Sequence, residues 1–149
     1  MTIHSTAYIS PQVTIDPSWE VGPFCVIKSG VKIGKNLKLS AYCEIREDVS
    51  IGDNVSFGSR CTISAGATIG NNVIIKYGFV LTDILNLSES VNQPGVIEDD
   101  VMIGANVTMM PKIIIRKGSI IGACSQIRHN TKEYEIWYGN PAKFYRSVK

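Results

Sequence analysis

The 149-residue chain has no long apolar run; its longest are stretches such as Ile113-Ile114-Ile115. A membrane-spanning helix needs ~18 apolar residues or more, so membrane insertion is not expected. Met1-Thr2-Ile3-His4-Ser5 has no basic segment leading into an apolar one. No secretion leader is therefore expected, and the expected compartment is the cytoplasm. Histidine is scarce, with only His4 and His129. The four cysteines include no CxxC pair, which leaves neither a zinc-ribbon nor a thioredoxin-like motif, and no metal is expected. Runs of adjacent Lys and Arg with interleaved aromatics are also missing, so nucleic acid is not the expected partner.

The chain does have an apolar fraction of 44% against 19% charged residues, the balance of a folded globular protein. Its length suits one domain, residues 1–149. The net charge of +2 is unevenly spread. Residues 1–81 carry 7 basic and 6 acidic side chains, residues 82–100 carry 5 acidic and no basic ones, and residues 101–149 carry 8 basic and 2 acidic ones. One reading makes these solvated surface charges. The other sets the positive segment against a phosphate-rich ligand and the negative one against a cationic group.

The dominant signal is a period of six. Ile9, Ile15, Val21, Ile27, Ile33, Leu39, Ile45, Ile51, Phe57, Ile63, Ile69, Ile75 and Leu81 are all large and apolar. The phase breaks there and restarts as Ile97, Ile103, Met109, Ile115, Ile121 and Ile127. Two residues before each large one sits a second inward position, usually small or medium and apolar, as at Ala7, Val13, Trp19, Cys25, Val31, Leu37 and Cys43. Glycine often follows the large residue, as at Gly22, Gly34, Gly52, Gly58, Gly70, Gly104 and Gly122. It supplies the unusual backbone angles or the close approach that a sharp corner needs. A helix does not fit, because residues six apart leave one face at 3.6 residues per turn. Each hexad therefore reads as a short strand plus a turn, and three hexads make one triangular coil of a parallel β-solenoid. Cys25, Cys43 and Cys61 recur at intervals of three hexads. They then stack as a column inside one edge and read as buried small hydrophobes.

The interruption at about 82–96 must leave the solenoid at a corner, and such loops on rigid scaffolds carry function. The tail, about 131–149, leaves the repeat, and Trp137 and Tyr138 are expected to cap the open end.

The repeats and the ending Tyr138-Gly139-Asn140-Pro141-Ala142-Lys143 resemble the hexapeptide-repeat acyltransferases, whose ending is similar. The runs Ile103-Gly104-Ala105-Asn106 and Ile121-Gly122-Ala123 look like their late coils. The resemblance implies an all-β left-handed parallel β-helix with one protruding loop and a short C-terminal cap. It implies a homotrimer with acetyl-CoA, as cosubstrate, in the groove between subunits. Gly104, Ala105, Gly122 and Ala123 would line the pantetheine arm, with Lys143, Arg146 and Lys149 near the CoA phosphates. Phe79-Val80-Leu81-Thr82-Asp83 looks like the corresponding stretch of N-acetyltransferases that act on nucleotide-linked deoxyamino sugars. On that likeness Asp83 is the catalytic candidate, holding or deprotonating the sugar ammonium, with Thr82 and Asn86 on the substrate side. The structural alternative is an Asp that caps the turn at the loop start.

One departure is informative. Sugar O-acetyltransferases of this type carry a general-base His on the loop, because a hydroxyl is a poor nucleophile without one. This loop has none, and His129 lies far beyond it in sequence. A γ-class carbonic anhydrase shares the scaffold but needs three His ligands. Amine acetylation is thus the expected reaction, with sugar O-acetylation through His129 and a non-catalytic β-helix scaffold as the alternatives.

Overall fold

The computed structural model describes residues 2–86, 88 and 91–149, and its strands are two residues long throughout the repeat. The period of six is realised as three parallel sheets that form the faces of a left-handed triangular β-helix. Face I stacks Thr2–Ile3, Glu20–Val21, Lys38–Leu39, Ser56–Phe57, Ile74–Ile75, Met102–Ile103 and Ile120–Ile121. Face II runs from Tyr8–Ile9 to Gln126–Ile127, and face III from Lys32–Ile33 to Ile114–Ile115. Backbone N–H groups of one coil donate to carbonyls of the next, as from Glu20 to Leu37 (2.8 Å) and from Lys38 to Val55 (3.0 Å).

The register steps by three hexads per coil, as in Thr62↔Val80. Across the interruption the step lengthens, as in Val80↔Thr108. Ten extra residues are thus inserted where face II turns to face III, and pairing resumes in phase because the extra chain leaves the helix entirely. The large residues of the period fill the interior, with Ile27, Ile45, Ile63, Leu81 and Ile127 buried in the column behind face II. The first coil is the exception: Ile3 and Ile9 are only partly buried and Ile15 is exposed, because no coil lies above them.

The glycines after the large residues serve close approach and not unusual angles. None has a positive φ. A Cβ on Gly58 would lie 2.4 Å from the Tyr77 nitrogen, and one on Gly52 would lie 2.8 Å from the Gly70 carbonyl carbon. The left-handed backbone sits instead at a second position, at Phe24, Gly30, Asn36, Tyr42, Asp48, Asn54, Arg60 and Gly66, then six residues on at Asn72 and Gly78. Asn and Asp tolerate this conformation best among non-glycines, and at one corner they also stack. The Asn36 amide donates to Asn54 (2.8 Å), Asn54 to Asn72 (3.1 Å) and Asn72 to the Asp100 carboxylate (3.3 Å).

Cys25, Cys43 and Cys61 are buried in one column, and the Cys43 thiol donates to the Gly58 carbonyl at 3.0 Å. The contact with Cys43, then burial, pushes the Cys25 thiol well up. Cys43 is lowered by Cys25 but raised by Cys61 and by burial, and stands at about 11. Both are neutral thiols at physiological pH and serve as core, not as nucleophiles.

The tail forms a hairpin of Glu135–Gly139 and Ala142–Ser147. Its first strand pairs in parallel with the last strand of face I, placing Trp137 opposite Ile121. Trp137 packs against the core as expected of a cap, whereas Tyr138 is 51% exposed and turned outward. Two substitutions separate packing from clearance. Cys43→Val is expected to lower stability by about 1 kcal/mol or less, as a near-isosteric core change. Gly58→Ala is expected to cost about 2 kcal/mol or more, because the clash is with backbone. Chemical denaturation of both variants checks this; equal losses would contradict it.

Candidate functional site

The site is built on the corner where the ten extra residues leave. Thr82, the first residue past the face II strand, is fastened on both sides. Its N–H and its hydroxyl donate to the Met109 carbonyl (3.0 and 2.9 Å), and its carbonyl accepts from the Ser64 hydroxyl (3.2 Å). The Thr82 hydroxyl is therefore already engaged within the scaffold. Asp83 follows it with an exposed side chain, while its carbonyl accepts the Gln93 N–H at 2.8 Å and closes the neck of the loop. The Asn92 amide donates to the Ala65 carbonyl, and the Lys112 N–H donates to Gln93 (3.3 Å), so the neck of the loop is held by the neighbouring corners. Asn86, on the loop itself, accepts from the backbone N–H and hydroxyl of Ser88 and folds a local turn.

The later coils bring a second group to this corner. Face II pairs Leu81 with Met109 and Met109 with Ile127. Thr82, Met110 and Arg128 therefore follow one another along the corner, two coil steps or about 9.6 Å from first to last. His129 is next to Arg128. Although it lies far from Asp83 in sequence, it shares an open depression of about 470 Å³ with Leu85 of the loop. Met110, Pro111, Arg128 and Pro141 complete its lining. Among the described residues, the ion pairs engage Arg46 and Arg116, and Arg128 is exposed without one.

The residues expected to meet a CoA chain lie elsewhere, at the corner between faces I and II. Gly104-Ala105 and Gly122-Ala123 occupy it on consecutive coils, with Ala123 exposed. A Cβ on Gly104 would lie 2.6 Å from the Ala123 nitrogen, and one on Gly122 would lie 2.8 Å from Tyr138 Cβ. Internal packing alone demands both glycines. Lys143 lines an adjoining open cleft with Tyr138, Gly139, Pro141, Phe144 and Tyr145. Tyr138 and Tyr145 meet edge to face at 5.2 Å, and the Arg146 guanidinium lies 5.9 Å from the Tyr145 ring centre. Lys149 stands over the Tyr134 ring at 3.8 Å. On one chain, then, the width of face II separates the glycine corner from Asp83, while Pro141 lines both the Lys143 cleft and the depression beside the loop.

The acidic segment is not a cationic-ligand surface as a whole. The Glu98 carboxylate pairs with Arg116 at 2.9 Å and accepts the Lys117 N–H. Asp99 accepts the Asn71 N–H (2.7 Å), and Asp100 ends the Asn ladder. Glu89 lies outside the described residues, which leaves Asp83 as the acidic group the structure presents at the loop root.

Residues 94–129 match the family described as bacterial transferase hexapeptide (six repeats), and residues 48–83 match the hexapeptide repeat of succinyl-transferase. A probable macrolide acetyltransferase of Lysinibacillus sphaericus is 49% identical over 33% of this chain and 27% of its own length. The mitochondrial γ carbonic anhydrase 2 of Arabidopsis thaliana is 35% identical over 35% of this chain and 19% of its own. The matched part thus spans about a quarter or less of either relative. Among solved structures, AntD, an N-acyltransferase from Bacillus cereus in complex with dTDP-4-amino-4,6-dideoxyglucose and coenzyme A, aligns at a TM-score of 0.70. The identity is 15%, over 96% of this chain and 84% of that one. A maltose O-acetyltransferase from Clostridium difficile 630 aligns at 0.71 with 20% identity, over 81% of this chain and 71% of that one. These alignments concern the fold, and the matched segments show that residues 48–83 and 94–129 carry hexapeptide repeats of the kind found in bacterial transferases.

Proposed function

We propose that the chain is a CoA-dependent acyltransferase that moves an acetyl group from acetyl-CoA to the amine of a nucleotide-linked deoxyamino sugar, and that it acts as a homotrimer. The observation that carries this reading is the exposed carboxylate of Asp83 at the rigid root of the corner that the insertion opens. A protein of the same fold that binds a dTDP-linked amino sugar together with coenzyme A supports it. Thr82 and Asn86 stand on the acceptor side, Thr82 holding the loop root and Asn86 shaping the loop.

The chemistry is direct. An amine with a pKa near that of an α-amino group, about 7.7–8.0, is substantially neutral near physiological pH. It needs no strong base to attack a thioester. Its lone pair adds to the carbonyl carbon, the carbon–sulfur bond breaks, CoA leaves as the thiolate, and the nitrogen loses its extra proton. Asp83 would hold the ammonium beforehand and receive that proton as the general base.

The separation of the two corners supports the trimer. A donor lying along Gly104-Ala105 and Gly122-Ala123, with Lys143 and Arg146 toward its phosphates, reaches an acceptor at Asp83 when the two corners come from adjacent subunits. A closed three-fold ring brings every such pair together. The proximity of His129 favours a second reading, O-acetylation with His129 as general base. A γ-carbonic-anhydrase role is not proposed, since only two histidines are present.

Two expectations follow. In a thiol-release assay with acetyl-CoA and nucleotide-linked amino and hydroxy sugars, Asp83→Asn should lower kcat/KM about a hundredfold or more. His129→Ala should stay within about tenfold, or about 1.4 kcal/mol of barrier; the opposite ranking would favour the hydroxyl acceptor. Light scattering at micromolar protein should give the mass of three chains, and a monomer would count against both the assembly and the shared site.

A further inference from the structure

Among the described residues, Arg128 has no ion-pairing task in the scaffold. It is exposed, takes part in none of the ion pairs among the described residues, and is the permanently charged group lining the depression beside the loop. Arg46 shows the contrast. It holds the equivalent corner position nearer the N-terminus, and there it pairs with Glu44 and Glu47 of its own coil (2.8 and 3.3 Å). Arg128 has neither neighbour, because the residues beside it are Gln126 and His129.

We infer that Arg128 is the recognition residue for the diphosphate of the acceptor, a nucleoside diphosphate-linked molecule, with the acceptor's amine directed at Asp83. The inference rests on the proposed acceptor class and adds to it the group that reads the nucleotide half. Three observations carry it. A guanidinium presents a fork of donors that matches a phosphate in a bidentate way, which no neutral group in the depression can do. Leu85, two residues past Asp83 on the same loop, lines the depression together with Arg128 and His129. The register fixes their spacing: Arg128 lies two coil steps, about 9.6 Å, along the corner from the Thr82 position that precedes Asp83. A hexose ring with its amine at one end and the diphosphate at the other is a rigid spacer of that order once the reach of both side chains is counted. The β-helix would thus act as a ruler that separates the cationic and anionic ends of one ligand.

The test is calorimetric binding of UDP and dTDP, and of uridine and thymidine, to the full chain and to Arg128→Gln and Arg128→Lys. Acetyl-CoA affinity and thermal unfolding are measured beside them. The unsubstituted protein should bind at least one diphosphate about tenfold to a hundredfold more tightly than its nucleoside, as expected of charge-assisted hydrogen bonds. Arg128→Gln should erase that preference and Arg128→Lys should keep part of it, with acetyl-CoA affinity and unfolding temperature unchanged. A protein that does not distinguish diphosphate from nucleoside would overturn the inference, as would an Arg128→Gln variant that distinguishes them as well as its parent. A fall in acetyl-CoA affinity would assign Arg128 to the donor's phosphates and overturn it equally. A diphosphate preference lost in Arg128→Gln, in a protein that transfers no acetyl group, would uphold this inference while removing the acyltransfer reading.

Discussion

Everything in this molecule depends on the in-register backbone ladder between coils. Between the two ends, each two-residue strand hydrogen-bonds to the equivalent strand of the coil before it and of the coil after it, so a position in the hexad is a position in space. An inward Ile must stack on another inward residue, and a corner glycine must leave room for the backbone of the next coil. The constraint explains why two-residue strands suffice. No strand is stable by itself, but stacked strands satisfy each other's polar groups along the whole axis.

The same ladder confines chemistry to the outside. The interior is filled by Ile, Leu, Val, Phe and the buried cysteine column, so the interior packs as core and leaves substrate binding to the surface. Variation is tolerated only at corners, where a side chain points outward or the chain can leave. The ten-residue excursion uses that freedom without disturbing the register, since Thr68 still pairs with Val96 and Ile74 with Met102. Its neck is closed by Asp83 and Gln93, which lets a loop of variable sequence grow from a fixed base.

Much of the fold was legible because six-residue periodicity survives as spatial order. The large apolar positions, the extruded loop and the cysteine column all follow from counting. The site was less legible. His129 reads as distant because sequence separation hides coil stacking. Yet one coil before it stands Pro111, and one coil before that, across the insertion, stands Asp83. Counting in coils would have found the neighbourhood of Arg128 and His129 beside the loop. The roles of Glu98, Asp99 and Asp100 were not legible as charge, because their carboxylates are taken by Arg116, by corner N–H groups and by the Asn ladder. The corner glycines invited a backbone-angle explanation, but the left-handed turns fall on Asn, Asp and even aromatic residues such as Phe24 and Tyr42. A composition-based rule could not have placed them there.

The solenoid is a frame that would hold an amine acceptor at an extruded loop and a thioester donor at the neighbouring corner. The central claim is the atom that receives the acyl group. Mass spectrometry of the acceptor after incubation with acetyl-CoA and a nucleotide-linked deoxyamino sugar, followed by mild alkali, tests that claim most directly. The expected product carries a single added acetyl group that survives alkali, as an amide does. An acetyl group released by alkali, as an ester, or an acceptor left unmodified would contradict it.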